Sequence, residues 1–421
     1  MVSFALMFIL FLAGIPVAFA IGLTPIPFIP NGLSLLIPQK MISGVDSFVL
    51  LAVPFFILAG ELMNVGGITD KIFDFARSLV GHIRGGLGHV NVLGSMIFSG
   101  MTGSAVADAA GLGSVEIKAM KDAQYDDGFT AAVTAASSVI GPIIPPSVPF
   151  VIYGSLVGIS VGRLLIAGAI PGVITGLAQM ILIYIMAGKR NFPLDPRPSL
   201  KKMLRTFLRA LPPMVTPVIL IGGIMIGIFT PTEAGAVAAL YALFLTFIIY
   251  REVKSKELIA MLIRVVSRIG SFLLIVSTSA LYANILARLE IPQFIVEKLS
   301  SISSDPIILL LIINIFLLIV GCVMEALAAL TILAPILSSI CGIIGIDPVH
   351  FGVIVVFSLM IGAITPPVGV CMFIVNKITN ISTLCFIKNI WPFFICLVVV
   401  LFMITYIPGL SLFLPNLFMG K

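Results

Sequence analysis

A chain of 421 residues that is 60% hydrophobic and only 10% charged exceeds what a soluble core can bury, and its apolar runs recur to the end. The formal charge of +6 is gathered in short basic stretches between those runs, which marks cytoplasmic loops and excludes a nucleic-acid surface. Five cysteines without metal-type spacing, and no phosphate-cradling glycine loop, exclude a disulfide framework, a metal centre and ATP-driven pumping.

Residues 1–29 and 48–64 read as the first two spans. The first has no basic leader and no small-residue cleavage site, so it is expected to be a span rather than a signal peptide. Residues 68–86 set Lys71, Arg77 and Arg84 beside Ile72, Phe73 and Leu79, the pattern of an amphipathic helix at the cytoplasmic interface. The stretch from Arg84 to Lys118 is too short for two spans of about 20 residues each with a turn. It predicts a re-entrant hairpin of two half-depth helices with its tip at residues 100–104 and both ends cytoplasmic. Residues 126–159 then cross outward, and Pro142, Pro145 and Pro146 unwind them near the middle by removing donors and clashing with the preceding turn. Residues 164–187 return inward to a basic segment from Lys189 to Arg209. Residues 211–229 and 235–250 form an out-and-back pair around Thr230-Pro-Thr-Glu233, and a second basic segment follows with Arg251, Lys254, Lys256, Arg264 and Arg268. Two spans between two basic segments put both on one side, as the charge rule requires.

From Ser271 the plan repeats. Residues 272–286 cross outward, 290–305 form an outside loop, and a second hairpin at 307–340 breaks near Gly321 and Glu325. Residues 352–374 break around Gly362, Pro366, Pro367 and Gly369, and 390–412 form the last span with the C-terminus outside. One offset of 221 residues carries Pro145-Pro146 onto Pro366-Pro367, Gly141 onto Gly362, Gly100 onto Gly321, Ser104 onto Glu325 and Asp126 onto Asp347. The first hairpin opens from the cytoplasm and the second from outside, so the halves are inverted, the plan from which alternating access follows. The expected fold is therefore an all-α polytopic membrane protein with inverted repeats, each holding a re-entrant hairpin and a broken helix. Its expected divisions are 1–86 (scaffold spans and amphipathic arm), 87–162 (first transport repeat), 163–306 (scaffold and basic segments), 307–380 (second transport repeat) and 381–421 (last span).

Broken backbone at membrane depth survives only where protein or a polar cavity surrounds it, so the tips and breaks are the candidate site. Their carbonyls, with a hydroxyl or carboxylate, suit a hard cation such as Na+. The first set is Gly100, Gly103 and Ser104 from the tip with Gly141, Ile143 and Ile144 from the break. The inverted set is Gly321, Met324 and Glu325 with Ala363, Ile364 and Thr365. New half-helices begin after Pro146-Ser147 and Pro367-Val368, and their N–H groups and positive dipole ends suit a substrate carboxylate, beside Ser104, Asp108 and Glu325. Plainer roles exist for several of these residues. Gly100 and Gly103 would serve close packing, Ser104 its own helix, and Asp108 the bracing of the hairpin. Glu325 is the sharpest single residue, because an intramembrane carboxylate is functional by default. Glu61 and Glu233 end apolar runs and are expected to pair helices or sit at an interface. Glu116, Lys118 and Lys121 are expected among headgroups, and Arg288 and Glu290 at the outer edge. Cation-driven transport of an anion is the reading these residues favour. An intramembrane enzyme would need a paired nucleophile and base, and a passive channel has no use for two inverted halves.

The motifs Leu51-Ala-Val-Pro-Phe-Phe-Ile-Leu-Ala-Gly-Glu61, Thr102-Gly-Ser104, Gly141-Pro-Ile-Ile-Pro-Pro-Ser147 and Ile228-Phe-Thr-Pro-Thr-Glu-Ala234 stand in order along the chain. Gly321 to Glu325, Asp347-Pro-Val-His-Phe-Gly352 and Ile364-Thr-Pro-Pro-Val-Gly369 follow them. Together they resemble the large membrane subunit of the tripartite ATP-independent periplasmic (TRAP) transporters. The resemblance implies an elevator carrier in the bacterial inner membrane, with sodium-coupled uptake of a C4-dicarboxylate, another carboxylate or sialic acid. It implies delivery of that organic anion by a periplasmic substrate-binding protein, and a small four-helix membrane subunit carried on a separate polypeptide. The family often has Asp where this chain has Glu325. The alternative is a stand-alone sodium–anion symporter that needs no binding protein.

Overall fold

Backbone surrounded by hydrocarbon must satisfy its own hydrogen bonds, and helix is the only regular structure among the described residues. The computed structural model describes residues 2–30, 33–188, 192–251, 255–303 and 305–420, so Lys189, Arg190 and Lys254 of the basic segments lie outside the described residues. In chain order the first helices are α1 (Val2–Leu12), α2 (Val17–Leu23), α3 (Leu36–Val45), α4 (Ala52–Val65), α5 (Ile68–Val80), α6 (Gly86–Thr102), α7 (Ala105–Ala110) and α8 (Leu112–Asp122). Next come α9 (Asp127–Ser138), α10 (Val148–Val157), α11 (Val161–Ala167), α12 (Ala169–Ala187), α13 (Leu200–Met225), α14 (Pro231–Phe244) and α15 (Ser255–Arg288). The last are α16 (Ile291–Ile302), α17 (Pro306–Val323), α18 (Ala326–Ile344), α19 (Pro348–Gly362), α20 (Val370–Thr379), α21 (Thr383–Tyr406) and α22 (Gly409–Met419).

By length and composition six stretches can each cross a membrane, and a seventh forms if α3 and the helix starting at Val49 are one bent span. The two broken spans fail that test because each half is too short alone: 12 and 10 residues for α9 and α10, 15 and 10 for α19 and α20. The first half of each begins with a capping aspartate. Asp126 accepts from Phe129 N–H at the head of α9, and its offset mate Asp347 accepts from Val349 and His350 at the head of α19. Ser104 and Glu325 cap α7 and α18 in the same way, just past the two tips.

The repeat also shows in a buried pairing. One turn before each break a serine donates to an asparagine on the first arm of its own hairpin: Ser137 to Asn91 at 2.7 Å, Ser358 to Asn314 at 3.2 Å. Asn91 passes a bond to Thr134 at 2.8 Å and Asn314 one to Thr405 at 2.9 Å. Polar side chains bonded between helices join each hairpin to its broken span where the surroundings are apolar.

Several expectations change. Residues 1–29 are not one helix: Gly14 takes φ +80° and Pro16 has no N–H, so the chain turns between α1 and α2. The helix α3, not anticipated, lies against α15 and meets the following helix at 60°. Residues 290–305 carry the helix α16 rather than an open loop. The basic segment before residue 272 continues as helix, so Arg264 and Arg268 stand on α15, which is 34 residues long. Glu116 is not among headgroups: it is 1% exposed and its carboxylate lies against Gly94, between the arms of the first hairpin. Lys121 does reach the surface edge, donating to the carbonyl of Thr379 at 2.6 Å.

The amphipathic arm α5 buries its apolar face, Ile68, Ile72, Phe73 and Ala76, within the protein rather than presenting it to the interface. Arg77 forks onto Asp195 at 2.7 and 2.8 Å, and that bonding holds the Asp195 carboxyl below its ordinary range. Glu233 forms a capping box with Thr230 at the head of α14, a local role that matches its place at the end of an apolar run.

Candidate functional site

The two tips and the two breaks meet. In the first repeat Gly103, at φ +59°, lies so close to Pro146 that a Cβ would strike the Pro146 carbonyl and would stand 3.2 Å from Ser147 Cα. A Cβ on Gly141 would stand 3.2 Å from the carbonyl of Ser104, and one on Gly100 would stand 3.0 Å from Pro217 of α13. In the second repeat a Cβ on Gly362 would overlap the backbone of Gly321, while one on Gly321 would stand 3.0 Å from the Leu359 carbonyl. Only glycine lets the two backbones approach this far. A backbone bond ties each tip to its break: Val148 N–H to Gly103 O at 3.3 Å, and Val368 N–H to Cys322 O at 3.0 Å. Both Pro-Pro bonds, 145–146 and 366–367, are cis.

Those bonds change part of the expectation. The N–H groups after the breaks were expected to be free for a substrate carboxylate, yet Val368 N–H and Val148 N–H already serve the tips, and Phe150 N–H serves the Ser147 hydroxyl. Ser147 is fully buried and also donates to the Pro142 carbonyl. An unwound segment packed against protein spends its donors on the nearest carbonyls, a competition that a linear sequence does not display. Carbonyl oxygens remain. A helix end leaves its last carbonyls without intrahelical partners, and each oxygen has two lone pairs. Those of Gly100, Met101 and Thr102 end α6, and those of Gly321 and Val323 end α17. The Ala363 carbonyl accepts once, from Cys371 N–H at 2.9 Å, and Thr365 N–H and hydroxyl turn back onto Gly362 and Ile361. The Ile143 carbonyl lies against Gly168, while Ile144 packs on Gly172.

Between the tips lies a cavity of about 320 Å³. Gly103 and Ser104 of the first tip and Glu325 of the second face it, with Pro142 from one break and Ala363 from the other. Asp108, Pro146, Pro367 and Val368 are not among its lining residues, and Asp108 is 1% exposed behind the first tip. Pro145 and Pro146 instead pack on α13 beside Leu220 and Ile224. Outside the two repeats the wall is supplied by α4 and α15, through Gly60, Glu61, Arg268 and Ser271, while Val370 and Cys371 bring the head of α20 to it. A Cβ on Gly60 would stand 3.2 Å from Thr102 Cα, so α4 seats directly on the first tip.

Sequence reasoning did not assign Thr102, Pro149, Glu61 or Arg268 to this cavity. The signal that existed was Glu61 at the end of one apolar run and Arg268 at the start of another. The two are ion-paired across 207 positions of sequence, Arg268 Nη1 donating to Glu61 Oε1.

A family model described as the DctM component of the tripartite ATP-independent periplasmic transporter matches residues 4–410. The chain belongs to that family. It is 44% identical over 415 residues to the sialic acid TRAP transporter large permease protein SiaM of Vibrio cholerae, covering 98% of this chain and 97% of that one. It is 39% identical over 377 residues to the C4-dicarboxylate TRAP transporter large permease protein DctM of Pseudomonas aeruginosa, covering 90% and 88%. The fold is like that of the YdaH transporter of Alcanivorax borkumensis, at a TM-score of 0.64 and 14% identity over 90% of this chain and 88% of that one. The chain is thus the large permease subunit of a bacterial TRAP transporter, a multi-pass membrane protein and not an enzyme.

Proposed function

We propose that this permease takes up an organic anion, sialic acid or a C4-dicarboxylate or another carboxylate, driven by Na+ across the bacterial inner membrane. A periplasmic binding protein delivers the anion, and a small four-helix membrane subunit enlarges the scaffold. The observation that supports this reading is the meeting on one cavity of two tip-and-break units, each closed by glycines that let tip and break backbones touch. Na+ is cargo here, bound by oxygen ligands. In the first unit Ser104 and the carbonyls ending α6 would hold it, next to Gly141; in the second, Glu325 with the carbonyls of Gly321 and Ala363. The anion enters the cavity between Ser104 and Glu325, whose charge a bound Na+ neutralises. An uncompensated carboxylate beside Glu325 in an apolar cavity would be strongly disfavoured, so ion and anion bind together. This is the physical basis of the coupling.

The hairpins are re-entrant in this reading, and the two units move as one elevator domain against α4, α13 and α15. The wall contributed by α4 and α15 is a seam between moving and fixed parts. The test is uptake into proteoliposomes holding this chain and its small subunit, with labelled sialic acid or succinate loaded on candidate binding proteins. Uptake that needs both an inward Na+ gradient and one binding protein is expected. Uptake from free solute without a binding protein would favour the stand-alone symporter, and uptake indifferent to Na+ would overturn the coupling.

A further inference from the structure

Three charged side chains line the cavity among the described residues: Glu61 on α4, Arg268 on α15 and Glu325 at the second tip. Glu325 is spoken for by the cap of α18, where Ala328 N–H lies 2.9 Å from Oε2, and by the cation in the reading above. That leaves an ion pair opposite the tips. The Arg268 side chain is 47% exposed and Glu61 13%, so the arginine is the open partner. A half-exposed pair contributes little as a strut between helices. It does hold a guanidinium at the cavity wall. Guanidinium carries five donors in a planar fork suited to a carboxylate, and the single contact to Glu61 engages only Nη1.

We infer that Arg268 is the residue that binds the carboxylate of the transported anion, and that Glu61 is a positioning residue that keeps the guanidinium turned to the cavity. Arg268 is the only cation lining the cavity among the described residues. An anion resting there with Na+ at Glu325 meets the half-exposed guanidinium of Arg268, whose remaining donors are not taken by Glu61. Two of the post-break N–H groups, the other candidate for the carboxylate, are bonded to the tips: Val148 to Gly103 and Val368 to Cys322. Because Arg268 stands on α15 and not on a hairpin, its bond to the substrate would break as the tips move away, and Glu61 would hold the side chain in place for the next cycle. The inference rests on the Na+-coupled anion uptake proposed above and adds the group that reads the anion.

The test measures uptake of binding-protein-supplied sialic acid or succinate together with 22Na+ binding to the purified permease complex in the absence of any anion. Arg268→Gln is expected to raise the KM for the anion tenfold or more while leaving anion-free Na+ binding unchanged. Arg268→Lys, which keeps the charge but loses the fork, is expected to recover part of the KM. Glu61→Gln, which keeps an acceptor for the guanidinium but removes the charge that anchors it, is expected to raise KM by a smaller factor at unchanged Na+ binding. If Arg268→Gln does not fold, Arg268→Lys and Glu61→Gln carry the test. An unchanged KM in folded Arg268→Gln, or in both of the other variants, would overturn the inference. So would a loss of anion-free Na+ binding in folded Arg268→Gln, since Arg268 would then act on the ion site. Absence of Na+ dependence in the wild-type chain is a different outcome, and it strikes the parent reading instead.

Discussion

Glu325→Gln is expected to lower Na+-driven uptake by about tenfold to 100-fold while leaving thermal stability close to wild type. The glutamate does two things from one side chain. Its Oε2 accepts the N–H of Ala328 at 2.9 Å and so caps α18, and its carboxylate faces the cavity. Glutamine keeps an oxygen for the cap but carries no charge for the cation. A hydrogen bond or ligand contact to a charged group contributes about 1.5–3 kcal/mol, which is tenfold to more than 100-fold in affinity. Glu325→Ala loses both roles and is expected to lose about 1 kcal/mol of stability in addition. Uptake in proteoliposomes and a melting curve on the same samples separate the two roles. Normal uptake by Glu325→Gln would mean that the carboxylate is only a cap.

Gly362→Ala carries the second large effect. A methyl group there would overlap the backbone of Gly321, which as backbone has no flexible end to yield. Overpacking costs about 1–3 kcal/mol where side chains can adjust, and backbone against backbone belongs at or above the top of that range. The second tip would be pushed off its break, carrying the carbonyl of Cys322 away from the Val368 N–H. Loss of uptake together with a lowered melting temperature is the expected result. Gly222→Ala on α13, where nothing lies within 4 Å of the new methyl group, is the control and is expected to transport normally. Equal behaviour of the two variants would remove the reason for thinking that the glycine pair sets the site.

The repeat was legible because its signals are local and repeated. Gly141 with Gly362, Asp126 with Asp347 and the two Pro-Pro steps occupy one register, and the structure uses each pair for the same purpose. Ser137 and Ser358 obey the same offset and make the same kind of bond to an asparagine, a signal present in the sequence but unread. What sequence did not disclose is tertiary competition. The post-break N–H groups could be recognised as unused by their own helices, but not that the hairpin tips would claim those of Val148 and Val368. The pairing of Glu61 with Arg268 joins residues 207 positions apart, and no periodicity links such a pair. Glu116 misled for the opposite reason. A carboxylate next to lysines near a helix end resembles interfacial sequence, yet a half-turn of helix decides whether it faces headgroups or the opposite arm, as it does here against Gly94.

The central claim, that each tip and break together hold a coupling ion, is tested most directly by equilibrium binding of 22Na+ to the purified complex without substrate. Ser104→Ala and Glu325→Gln are to be measured beside the wild-type chain. The account predicts saturable Na+ binding in the wild type and at least about a tenfold loss of affinity at one site in each variant, with the other site retained. Na+ binding that is identical in all three proteins would contradict it.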